Sequence, residues 1–132
     1  MSKDKNPKRT ACSEAKQRRR LPPDAACVAC GESNSKVLEL HHAAGRAHER
    51  DLTATLCKNC HGKATEGQLR EEVELRATDT FLERIAAVFG SLAAFFRFLA
   101  DAFDRLAEQV KTFTGNLVAE LSALRPAPGK ES

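Results

Sequence analysis

At 132 residues and a formal net charge of +3, the chain has room for one compact domain plus extensions. Its apolar residues are spread unevenly, which excludes a single uniform core: the first twenty residues hold almost no large apolar side chain, whereas 81–124 is rich in Leu and Phe. The N-terminus is charged and has no apolar stretch of the kind a secretory leader carries, so a cytoplasmic, reducing location is expected.

Residues 1–20 carry Lys3, Lys5, Lys8, Arg9, Lys16, Arg18, Arg19 and Arg20 against only Asp4 and Glu14. With no apolar periodicity, an arm of this kind (1–23) is expected to be disordered in isolation. Such an arm reads either as a solubilising tail or, through Arg18, Arg19 and Arg20, as a phosphate-contacting element that does not choose sequence. Cys12 lies in this arm away from any partner spacing and reads as a free thiol. Pro22 and Pro23 stiffen the junction with the cysteine-containing segment.

The segment 24–76 is short for a domain that must bury its own core. Pieces of this size usually need a metal or disulfides. Cys27-Val28-Ala29-Cys30 and Cys57-Lys58-Asn59-Cys60 are two Cys-x-x-Cys pairs enclosing 26 residues. In a reducing compartment such pairs favour metal over disulfides. Each pair offers two thiolates at one corner, and two pairs close a tetrahedron around zinc. A site made of four thiolates has no open position, so this zinc is expected to be structural. Gly31 follows the first pair, where the chain must turn sharply and a positive φ is useful.

Between the pairs, Val37 to Leu40 reads as a short strand running into His41 and His42. Ala43 to Asp51 reads as a loop, and Leu52 to Leu56 as a second extended piece. A helix is expected from about Cys60 to Arg76, opening with His61. The strand end and the helix start would then lie side by side, so His41 and His61 are placed to share a second metal ion. His42 would face the other way, because neighbours along a strand alternate.

The succession Cys-x-x-Cys-Gly, Leu-Glu-Leu-His-His and Leu-Cys-x-x-Cys-His resembles the HNH endonuclease family, in its variant with four zinc-binding cysteines. The resemblance covers about fifty residues and rests on the order of the motifs. It implies a ββα-metal finger and metal-dependent hydrolysis of phosphodiester bonds in DNA. It makes His42 the general base, and His41 and His61 the ligands of a catalytic divalent ion such as Mg²⁺, Mn²⁺ or Ni²⁺. The family's middle residue, usually Asn, orients the base. Here the corresponding stretch, His48 to Leu56, has no Asn. Asp51 is the better candidate for that task, His48 the other. Arg46, with Arg50 and Lys63, offers positive charge for phosphate. A non-catalytic zinc finger that binds nucleic acid or a partner is the alternative reading.

The last segment, 80–124, is of another kind. Thr80 with Glu83 forms a capping box. From Leu82 through Phe89, Phe96, Phe103 and Val110 to Leu117, large apolar residues recur in alternating steps of three and four. That is a heptad pattern with those residues at a and d. The e positions are Ala86, Ala93, Ala100 and Ala107, and the g positions begin with Phe81, Val88 and Phe95, so the apolar face is broad. Gly115 is expected to end or bend the helix, with a short helix over 116–124 and a frayed tail over 125–132. Self-association through 80–117 is expected, with packing on the finger or a membrane surface as other uses of the same face. The fold class expected is α+β, a small zinc-bound finger followed by a long amphipathic helix.

Overall fold

The computed structural model describes residues 21–125. The basic arm, with Cys12, Arg18, Arg19 and Arg20, and the tail beyond Arg125 lie outside them. The architecture is α+β: strand β1 (Leu38–His42), strand β2 (Thr53–Cys57), helix α1 (Lys58–Arg70) and helix α2 (Phe81–Ala123). The strands form an antiparallel hairpin in which Leu38 pairs with Cys57, and His42 with Thr53. Each starts one residue later than the sequence suggested.

The first cysteine pair hangs on this hairpin. Gly31 N–H donates to the Cys27 carbonyl at 2.8 Å, and Val28 N–H donates to the Thr55 carbonyl at 3.0 Å. Gly31 takes φ +78°, a conformation that costs a residue with a Cβ roughly 1 kcal/mol or more. β2 runs without a linker into α1. Cys57 is the N-cap of α1, and its Sγ accepts from Cys60 N–H at 3.4 Å.

α1 ends at Arg70, not near Arg76. Glu72 adopts φ +53°, Val73 N–H donates to the Gln68 carbonyl, and Glu72 N–H donates to the Leu69 carbonyl. This is the Schellman arrangement, which reverses the chain after the last turn. It is usually marked by glycine, and here Glu72 holds the left-handed position, so the sequence carries no stop signal.

α2 starts as expected, with Thr80 accepting from Glu83 N–H and Glu83 accepting from Thr80 N–H. It does not stop or break at Gly115 but continues as one helix of 43 residues, about 65 Å at 1.5 Å per residue. A Cβ at Gly115 would meet nothing within 4 Å. The glycine therefore costs only about 1 kcal/mol of helix propensity, too little to end a helix with good formers on both sides.

Half of α2 belongs to the core. Ala87, Ser91, Ala94, Phe95, Phe98 and Ala102 are buried, and Phe95, Phe98 and Ala102 join Leu38, Leu56, Ala64 and the cysteines in one cluster. Small residues let the helix approach closely. Ser91 sits against Gly45, where an added Cβ would fall 3.1 Å from Ser91 Oγ. The Arg84 guanidinium donates to the His48 carbonyl, and Arg97 pairs with Glu71 at the end of α1. From Phe103 onward every described residue of α2 is exposed.

Candidate metal centre and histidine site

The ligand atoms of Cys27, Cys30, Cys57 and Cys60 all lie within 4.8 Å of one another. Cys27, Cys57 and Cys60 are buried, and Cys30 is at the surface. Among the described residues no other group of three or more potential ligands converges in this way. The donor set is soft and closed, which suits a structural zinc. Its electrostatics point the same way. Burial pushes the Cys27 thiol up, but hydrogen bonds with the backbone of Cys57, Ala29 and Cys30 outweigh that and bring it down to about 7. Burial and the three neighbouring sulfurs push Cys60 far up. Four sulfurs so close cannot all carry charge by themselves, and a divalent cation among them removes that conflict.

The histidines assemble beside this centre. Glu39 and His41 stand two apart on β1 and share one face of the strand. His61, in the first turns of α1, lies across from both. Its Nδ1 is 2.7 Å from Glu39 Oε2, and its ring centre is 5.0 Å from that of His41 at 74°. The sequence-based pairing of His41 with His61 is thus realised in space. His41 is buried, with Nε2 lacking a hydrogen-bond partner among the described residues. Burial, helped by the charges His61 and His42 would carry, lowers its pKa to about 4, so the ring is neutral at pH 7.

His42 faces the other way and is half-buried. Its Nδ1 lies 3.2 Å from the Arg50 carbonyl. A carbonyl only accepts, so Nδ1 carries the proton and Nε2 presents its lone pair. The group that orients His42 is therefore the backbone of Arg50. Asp51 is exposed and uses its N–H to bind the Glu49 carboxylate. His48 is buried elsewhere, with Nε2 3.1 Å from the Glu74 carbonyl, where it fastens the segment between the two helices. Arg46, Arg50 and Lys63 are exposed.

Two residues of this site carried no weight in the sequence. Glu39 was legible in principle, since position i−2 on a strand shares the face of His41. Phe95 was not. It reaches in from α2 and stacks on His41, with ring centres 5.3 Å apart and planes 25° from parallel. No family model, curated protein or solved structure matches this chain.

Proposed function

We propose that the chain is a metal-dependent nuclease of the HNH type, hydrolysing phosphodiester bonds in DNA, with zinc in the four-cysteine centre holding the ββα unit together. The observation that carries this reading is the hydrogen-bonding state of the three histidines. His42 is fixed through Nδ1 by the Arg50 carbonyl, and His61 through Nδ1 by Glu39. Both keep Nε2 available, and His41 Nε2 has no hydrogen-bond partner among the described residues. Metal-binding histidines commonly give their second ring nitrogen to a carboxylate in this way.

The spacing of His41 and His61 is compatible with one shared ion. An imidazole bound at about 2.1 Å puts its ring centre roughly 3 Å from the metal, so two such ligands at ordinary angles have centres roughly 5 Å apart. A divalent ion such as Mg²⁺, Mn²⁺ or Ni²⁺ supplies charge neutralisation at the scissile phosphate and the leaving 3′-oxygen when bound there. His42 Nε2 takes the proton from the attacking water, a task for which neutral imidazole is suited near pH 7. Glu39 holds the His61 ring in place. Arg46 and the basic arm, with Arg18, Arg19 and Arg20, attract the phosphate backbone without reading sequence.

One observation favours a second reading, a non-catalytic zinc module that binds nucleic acid or a partner. His41 is only 4% exposed and lies under Phe95. Plasmid nicking with Mg²⁺, Mn²⁺ or Ni²⁺ decides between them. Wild type cuts, and His42→Ala loses about 10²–10⁴-fold while zinc content stays the same. Equal cutting by His42→Ala removes the catalytic assignment. Wild type that binds DNA but cuts with none of these ions supports the binding module.

A further inference from the structure

The buried face of α2 changes character where the ββα unit ends. Up to Ala102 the residues of the helix buried against that unit are Ala87, Ser91, Ala94, Phe95, Phe98 and Ala102. About five turns further on, the positions that continue this face are Arg105, Gln109, Thr112, Phe113, Asn116 and Glu120. Apart from Phe113 it turns polar once nothing packs on it. The heptad stripe beside it does not. Phe103, Leu106, Val110, Phe113 and Leu117 continue it through fully exposed helix, with Phe103 61%, Val110 64% and Phe113 68% exposed. Upstream, Phe89 and Phe96 of the same stripe also point to solvent, while Leu92 and Leu99 of it are partly buried against the core. The apolar surface past Ala102 thus serves something other than the ββα unit.

We infer that this stripe is the interface with a second copy of this chain, a coiled-coil seam centred on residues 103–117. Three features select that occupant. Between Phe103 and Leu117 the charges, Asp104, Arg105, Glu108 and Lys111, fall at positions b, c and f, away from the seam, and Lys111 and Glu108 pair with each other there. The flanking e and g positions, Ala107, Gln109, Thr114 and Asn116, are uncharged. Charges at e and g set partner choice and orientation; here these positions neither call for a partner of opposite charge nor repel a second copy. Between Asp101 and Leu124 there are four acidic against two basic side chains, a balance of −2. Helices that lie on membranes usually carry excess Lys and Arg on the polar face, so this balance disfavours an anionic lipid surface. The helix does contain a stretch long and apolar enough to cross a bilayer by length and composition, but part of that stretch packs on the ββα unit.

Sedimentation equilibrium of the full chain at micromolar concentration tests this. Wild type should show at least twice the mass of one chain. The double variant Phe103→Glu/Phe113→Glu, both at exposed positions beyond the core, should fall to the mass of one chain with its zinc content unchanged. Glu108→Ala, on the far side of the helix, should keep the wild-type mass. Wild type at the mass of one chain overturns the inference, whether or not it floats with vesicles of phosphatidylcholine and phosphatidylglycerol. So does a double variant that still associates.

Discussion

Phe95 lies flat on His41, 5.3 Å between ring centres, so a residue of the long helix supplies the dry wall behind a strand histidine. Burial is the first cause of the lowered His41 pKa. Phe95→Ala should admit water and move the His41 value from about 4 back toward 6.5, followed by NMR titration of the ring in protein holding zinc alone. The lost packing should also cost about 3–5 kcal/mol in denaturant unfolding. The direction of the shift sets the sign of the pH effect. The unfolded chain takes up the His41 proton near pH 6.5 and the folded chain only near 4. This contribution to stability is therefore complete above about pH 6.5 and falls away as pH drops toward 4, by about 3 kcal/mol. Phe95→Ala should flatten that fall, and an unchanged His41 titration would separate the two rings functionally.

Glu39 should act through His61. Glu39→Gln keeps a hydrogen-bond acceptor near Nδ1 but removes the charge that makes the ring a stronger ligand. A loss of about 10–100-fold in Mn²⁺ affinity is expected, with zinc retained, by isothermal titration and by the Mn²⁺ midpoint of nicking. If both midpoints stay where they are, Glu39 only braces the hairpin against α1.

Gly45 combines φ +82° with close contact to Ser91 Oγ and the His48 ring, both within 3.3 Å of where a Cβ would stand. Gly45→Ala should destabilise by about 1–3 kcal/mol, measured by denaturant unfolding. The loop on which α2 docks would have to shift. Gly62→Ala, with open space around the new methyl in the middle of α1, should instead raise stability by about 0.5–1 kcal/mol.

The four-cysteine centre predicts about one zinc per chain by elemental analysis. Cys57→Ser is an informative variant, because Ser is itself a good N-cap. It should keep capping capacity for α1 and still lose zinc and ordered structure, visible as a loss of protection from amide exchange in β1, β2 and α1. Retained zinc would mean that three cysteines suffice.

The hairpin and the cysteine centre were legible because both depend on short-range spacing. Two Cys-x-x-Cys knuckles and alternating strand residues tolerate few arrangements, and the paired positions of His41 and His61 came with them. The end of α1 was hidden, since Glu72 took a backbone conformation that glycine usually announces. The continuity of α2 was hidden for the opposite reason, since Gly115 announced a break that the helix absorbs. The docking of α2 was the largest gap. Its packed face sets Phe95 and Phe98 among Ala87, Ser91, Ala94 and Ala102, which signal little by hydrophobicity, while the equally conspicuous Phe89, Phe96 and Phe103 face solvent. Close approach at the small residues, as much as bulk, decides which side of that helix turns inward.

One sulfur atom joins the parts from which the site is built. Cys57 ends β2, caps α1 and stands among the zinc ligands. The hairpin brings His41 and His42, and the helix brings His61, so the angle between these elements is the angle between the histidines. Whatever fixes Cys57 fixes that angle. A zinc ion among the four sulfurs would brace that joint from the hairpin side and the helix side at once, so the alignment of the histidines would depend on a metal that none of them touches.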